Sequence, residues 1–215
     1  MRIEREGDAL LVVDLQHDFL PGGALAVAGG DAIVEPIARL APAFATVVAT
    51  QDWHPRGHVS FASAHSGRRP FETIALPQGQ QELWPDHCVQ GTHGAGLHPG
   101  LPDPPLTLVL RKGTRREVDS YSAFRENVGP DGRRPTTGLG AWLSARGVRR
   151  VLVCGLARDF CVRASAIDAA AEGFDVVVLD DLTRAVFPER AAEVDAAFAR
   201  AGVQRASSDS LEPVS

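Results

Sequence analysis

Cysteine is scarce in this chain. There are three in 215 residues, and Cys88, Cys154 and Cys161 form no close pair and no Cys-x-x-Cys spacing. That excludes a disulfide framework and makes a reducing compartment the expected home. A basic excess is also lacking: 22 Lys and Arg stand against 27 Asp and Glu, a net charge of -5. This balance speaks against a nucleic-acid partner, which needs a basic face. The short groups Arg115-Arg116 and Arg133-Arg134 read as solvated loops. No apolar run approaches the roughly 20 residues needed to cross a bilayer. The N-terminal run 9–13 is bounded by Asp8 and Asp14 and is too short for a signal peptide. The expectation is a cytoplasmic protein with no membrane partner, and no internal repeat is visible.

What is present is material for a full core. Hydrophobic residues make up 44% of the chain, ordinary for a globular protein. The length suits a single domain, here 1–215 with one excursion. Short apolar runs at 9–13, 46–50, 106–110, 151–154 and 175–179 predict strands, that at 151–154 a buried one of the parallel kind. Residues 31–40, 138–146, 159–172 and 188–201 predict helices, with Pro36 kinking the first or marking its late start. Gly147, Gly173 and Gly202 stop the other three. Strands alternating with helices predict an α/β fold, a three-layer α/β/α sandwich around a central, mostly parallel sheet. The polar tail 207–215 is expected to fray. Residues 54–105 are rich in Gly, Pro and His and poor in periodic pattern. So long an irregular stretch reads as a folded excursion over the active-site end, held partly by a metal.

The chemistry-bearing residues fall where these strands end. Asp14 follows the first strand, Lys112 the third, and Cys161 the fourth after a break at Gly155. Taken singly, Asp14 reads equally as a loop cap, Lys112 as a surface lysine and Cys161 as an inert buried thiol. A sheet gathers its strand ends, so the three become one hypothesis: a sulfur nucleophile, a carboxylate that takes its proton, and an ammonium that compensates the charge. The start of a helix and the Lys112 ammonium are both expected to draw the Cys161 pKa below its ordinary 8.5. Asp52 and His54, two apart in an extended segment, share a face and could reach a common ion. The third ligand could be His58, His65, His87, His93 or His98. His87 stands out because Pro85 stiffens the segment Trp84-Pro85-Asp86-His87-Cys88.

Five segments together carry a resemblance. They are Asp14-Leu15-Gln16-His17-Asp18-Phe19, Asp52-Trp53-His54-Pro55, Leu83-Trp84-Pro85-Asp86-His87-Cys88-Val89, Arg111-Lys112-Gly113 and Gly155-Leu156-Ala157-Arg158-Asp159-Phe160-Cys161-Val162. In that order they resemble the nicotinamidase (pyrazinamidase) branch of the isochorismatase-like cysteine hydrolase superfamily, over roughly residues 9–201.

The resemblance implies an isochorismatase-like hydrolase fold and an amidohydrolase that turns nicotinamide into nicotinate and ammonia through a cysteine thioester, a step of NAD salvage. It implies Asp14, Lys112 and Cys161 as the catalytic set. The oxyanion would rest on the backbone N–H groups of Ala157 and Cys161, with a cis peptide at Leu156-Ala157. One divalent metal ion (Zn, Fe or Mn) would be held by Asp52, His54 and His87, with His58 as an additional candidate. Phe19, Trp84 and Tyr121 would wall the pyridine ring. The partner it implies is a small-molecule substrate, with a homo-oligomer left open. Arg158 stands where a small Thr is common, so it either adds charge near the sulfur or points to solvent; His17 stands in place of the usual Asn. Two rivals remain at this point: another amide or carbamoyl hydrolase of the superfamily, and a catalytically silent binding protein of this fold.

Overall fold

The structure, a computed structural model, describes residues 1–101 and 106–212. The end of the expected excursion, residues 102–105, and the tail end, 213–215, lie outside the described residues. Six strands form one sheet: β1 (Asp8–Val13), β2 (Thr46–Asp52), β5 (Leu106–Lys112), β6 (Arg150–Leu156), β7 (Asp175–Arg184) and β8 (Gln204–Ala206). Their spatial order is β5-β2-β1-β6-β7-β8, and every neighbouring pair is parallel. β1 and β2 are buried at every residue, which is why their sequences are nearly continuous apolar runs rather than alternating ones.

The helices are α1 (Val34–Leu40), α2 (Leu139–Ala145), α3 (Arg163–Ala171) and α4 (Ala191–Arg200). The chain winds outward from β1 through β2 to β5. It then crosses to β6 on the other side of β1 and continues to β8. Right-handed crossovers put the helices of the two halves on opposite faces, which gives three layers. Strand order therefore reverses between β1 and β6. The crevice beyond the carboxyl ends of those two strands is where an open parallel sheet receives a ligand.

Several elements differ from expectation for visible reasons. Pro36 is the third residue of α1, within the first turn, where the missing N–H has no intrahelical partner to lose. β6 does not break at Gly155 but runs on to Leu156. Gly155 takes φ +106 beside β1, and a Cβ there would lie 2.1 Å from the Val13 carbonyl oxygen. Only glycine allows that close approach. Cys161 lies in a short π-type turn, Arg158–Val162, that leads into α3. The excursion is not wholly irregular: β3 (Thr73–Leu76) and β4 (Gly79–Glu82) pair as an antiparallel hairpin. The tail is pinned as far as Glu212, whose carbonyl accepts from Ile3 N–H and whose N–H donates to the Met1 carbonyl. Among the described residues, no helix is long and apolar enough to cross a membrane.

Candidate active site

Four parallel strands deliver their carboxyl ends to one point. Asp14 follows β1, Asp52 ends β2, Lys112 ends β5, and Cys161 follows β6. All four are buried, Asp14 completely. Lys112 Nζ lies 2.8 Å from Asp14 Oδ2, 2.6 Å from Asp52 Oδ1 and 3.2 Å from Cys161 Sγ. The ammonium also donates to the Ser120 carbonyl at 3.3 Å.

Asp14 is shaped for a proton. Its backbone takes φ +47, a region that Asp tolerates better than most residues. Thr50 holds it from two sides: Asp14 N–H donates to Thr50 Oγ1 at 3.0 Å, and Thr50 Oγ1 donates to Asp14 Oδ1 at 2.6 Å. Asp14 Oδ2 has no hydrogen-bond partner; its contact with Lys112 is an ion pair outside hydrogen-bond geometry. One oxygen is thus held by Thr50, and one carboxylate oxygen of Asp14 lies within 4.8 Å of Cys161 Sγ.

Burial and the neighbouring charges shift each group of the cluster in a definite direction. Burial works against the Lys112 ammonium, yet Asp14 and Asp52 hold its pKa well above the ordinary value. Burial alone would raise Asp52, but Lys112 and then His54 hold its carboxyl far below the usual range. Asp14 is pushed up, chiefly by burial, with Lys112 opposing and Asp52 adding. The Cys161 thiol is also pushed well above its ordinary value, by burial first, and Lys112 does not overcome this. This corrects the sequence-based expectation of a lowered pKa. Two carboxylates and one ammonium already leave the buried cluster net negative, and a standing thiolate would add another charge to it. Burial and the neighbouring carboxylates thus favour the thiol form of Cys161.

A second grouping adjoins the first. One donor atom each from Asp52, His54 and His87 lies within 4.8 Å of the others. His54 Nδ1 donates to the Gly113 carbonyl at 2.9 Å and His87 Nδ1 to the Pro85 carbonyl at 2.8 Å. A carbonyl only accepts, so each ring keeps a proton on Nδ1 and leaves Nε2 as the nitrogen available to an ion. His54 Nε2 stands 3.6 Å from Asp52 Oδ2, too long for a hydrogen bond and suited to two ligands of one ion. Burial, followed by the His54 charge, pushes His87 down to about 4, which keeps it neutral. This donor set fits a divalent cation. His58 is differently employed. Its Nε2 donates to the Val118 carbonyl at 3.1 Å, its Nδ1 accepts from Ser60 Oγ at 2.8 Å, and its ring stacks on His54. It groups with His54 and Asp119 rather than with His87.

A cleft of about 360 Å³ opens over both groupings. Phe19, Trp84 and Tyr121 line it, together with Leu25, Phe160 and Val186, and it ends on Cys161, Asp52, His54 and His87. Phe160 packs edge-on to Trp84 with ring centroids 4.8 Å apart. The Leu156-Ala157 peptide bond is cis, and Ala157 lines the cleft. The N–H groups of Phe160 and Val162 both donate to the Ala157 carbonyl, which curls the turn that presents Cys161.

Some residues here escaped the sequence reading. Gln16 is fully buried. Its amide donates to the Asp52 and Ala95 carbonyls and accepts the Asp52 N–H, each at 2.8 Å. It thereby clamps the backbone of the residue that serves both groupings; its place two residues after Asp14 was the available signal. Phe160, directly before Cys161, gave no separate signal. Arg158 neither faces the sulfur nor points to solvent. It donates to Asp180 at 2.6 Å and Asp195 at 2.8 Å, and Arg205 closes the ring of charges on the same two carboxylates. His17 stacks on His93 with centroids 4.0 Å apart, outside the cleft lining.

Comparison with known proteins follows the same lines. The isochorismatase domain model matches residues 8–208. The chain belongs to the isochorismatase family. Among family members, a nicotinamidase of Acinetobacter baylyi is 52% identical over 178 residues, 83% of this chain and 81% of that protein. The structure of the L. infantum homologue in complex with nicotinate superposes with a TM-score of 0.86 at 42% identity, covering 99% of this chain and 98% of that one. A Pyrococcus horikoshii pyrazinamidase in complex with zinc gives a TM-score of 0.75 at 34% identity, with 94% and 99% covered.

Proposed function

We propose that this isochorismatase-family protein is a nicotinamidase, hydrolysing nicotinamide to nicotinate and ammonia in NAD salvage, with residues 1–215 as one hydrolase domain. The observation that carries this reading is the contact of one buried ammonium with Asp14 at 2.8 Å and Cys161 at 3.2 Å, at the floor of an aromatic cleft. Relatives named for that activity support it.

In the first step Asp14 Oδ2 takes the proton of Cys161 while the sulfur bonds to the carboxamide carbon. The transfer moves a proton between two groups of the same cluster, so the buried net charge is unchanged, and Lys112 stays within reach of both anions. This supplies the nucleophile at the moment of attack without a standing thiolate. The carbonyl oxygen gains the negative charge and is held by the backbone N–H groups of Ala157 and Cys161. Asp14 returns its proton to the amide nitrogen, the C–N bond breaks, and ammonia leaves a thioester. Water then gives a proton to Asp14 and its oxygen to the acyl carbon. The C–S bond breaks, the Asp14 proton returns to sulfur, and the acid departs, giving up its proton to solvent as nicotinate.

Asp52, His54 and His87 would hold the divalent cation, zinc, iron or manganese, and the zinc-bound relative supports that assignment. When bound, the ion supplies a fixed Lewis acid for the pyridine nitrogen. The residues themselves orient the ring: Phe19, Trp84 and Tyr121 face it, and Trp84 Nε1 donates to Tyr121 Oη at 3.4 Å. The test is ammonia and nicotinate release from nicotinamide by the purified protein, with Cys161→Ala as control. No release from the wild type, or release that survives Cys161→Ala, overturns the reading.

A further inference from the structure

Two clefts of this protein share one buried wall. The second cleft, of about 650 Å³, lies against the β3–β4 hairpin and is bordered by Gln78, Gln81, Asn127 and Arg134. Asp119 lines both clefts. Its Oδ2 accepts from Gln81 Nε2 at 2.9 Å, its Oδ1 accepts the Ser120 N–H at 2.8 Å, and Gln81 Nε2 also donates to the Glu82 carbonyl at 2.7 Å. Asp119 is 4% exposed and Gln81 7%. Asp119 lines both clefts and its hydrogen-bond partner Gln81 lines the second, so the wall between them is polar at this point.

The reaction needs such a partition. While the acyl group is bonded to Cys161, its ring fills the aromatic side of the cleft, between Phe19, Trp84 and Phe160. In that state ammonia must leave and water must arrive. Ammonia that lingers attacks the thioester and restores the amide. Small polar molecules cross where each hydrogen bond they give up is replaced, and an apolar wall stacked on a ring offers no replacement. Asp119 and the Gln81 amide offer acceptors and donors in series toward the second cleft. We infer that the Asp119–Gln81 pair is an exchange port through which ammonia leaves and hydrolytic water reaches the acyl-enzyme. The inference rests on the amidohydrolase reading and adds a route that this reading does not contain.

The test uses partitioning of the acyl-enzyme. Wild type, Gln81→Ala and Gln81→Leu are given nicotinamide with hydroxylamine or the bulkier methoxyamine. Either nucleophile bonds through nitrogen to the acyl carbon, the C–S bond breaks, and one nitrogen proton ends on sulfur, giving a hydroxamate. The ratio of hydroxamate to nicotinate is decided after the thioester forms, so it does not depend on how much protein is folded. Gln81→Ala widens the port and raises the methoxyamine share by about threefold or more. Gln81→Leu closes it to polar molecules, and the acyl-enzyme then accumulates by intact mass as turnover falls about threefold or more. Wild-type ratios and wild-type acyl-enzyme levels in both variants overturn the port while leaving the hydrolase intact. Absence of ammonia release from the wild type overturns the hydrolase reading and the port with it.

Discussion

Replacing Lys112 by Met keeps most of the side-chain volume and deletes the charge on which the cluster depends. The ammonium sits 2.8 Å from Asp14 and 2.6 Å from Asp52. At an effective dielectric of about 20, a unit pair at such a distance is worth about 6 kcal/mol. Measured losses on breaking a buried pair are smaller, about 3–5 kcal/mol, because the orphaned charge neutralises itself. Asp14 is the one to do so. Its pKa is already raised by burial, whereas Asp52 keeps a His54 neighbour. Lys112→Met therefore lowers stability by about 3–5 kcal/mol. It also leaves Asp14 protonated at neutral pH, with no oxygen free to accept the thiol proton. Ammonia release falls by about a thousandfold or more, the scale of a lost proton acceptor combined with lost charge compensation. Adding Asp52→Asn restores part of the stability and none of the turnover. Urea denaturation and the ammonia assay read the two effects. A Lys112→Met protein that keeps stability within about 1 kcal/mol and turnover within about tenfold would refute the cluster reasoning.

Arg158→Ala removes contacts to Asp180 and Asp195 and lowers stability by about 1–2 kcal/mol, the partly exposed network being screened by solvent. Its turnover stays within about twofold of wild type, because the guanidinium does not reach the cleft; a large kcat loss in folded protein would place it in the site after all. In chelator-treated protein, stability falls on acidification in two stages. His87 is held down to about 4, so the neutral ring's contribution is full above about 6.5 and is lost as pH falls toward 4, by about 3 kcal/mol. Asp52 lies below its ordinary value, so its contribution is full above about 3.9 and fades only as pH falls further. Urea midpoints against pH for wild type and His87→Gln check this, and an unchanged limb between 6.5 and 4 in the variant would show that His87 does not cause it.

The strand ends of the candidate site were legible because buried parallel strands are written as apolar runs, and a polar residue closing such a run can only face the crevice or solvent. Asp14 and Asp52 were readable in this way, Lys112 by closing the half-exposed edge strand β5, and Cys161 by the turn that leads into α3. The β3–β4 hairpin was not readable, since Gly79-Gln80-Gln81-Glu82 has neither apolar alternation nor β-branched residues. β8 is three residues long and mostly exposed, too short to leave a pattern. Asp119 gave no signal in the sequence, because the side chain that holds it, Gln81, lies 38 positions away. The direction of the Cys161 pKa was misread for a related reason. Spacing shows which charges can be near a sulfur, but only packing shows how little water remains to solvate the anion. The side of the turn that Arg158 faces depends on carboxylates from β7 and α4, which local sequence does not reveal.

Asp52 gives Oδ1 to Lys112, turns Oδ2 toward His54, and has its backbone locked by Gln16. In the proposed reaction one carboxylate is thus common property of the machinery that breaks the bond and the machinery that grips the ring. Evolution toward a different amide cannot discard the ring-gripping half by altering this residue, because the same change would unbalance the ammonium below. Divergence has to proceed through His54, His87 and the aromatic walls, and Asp52 should be the last of the set to change.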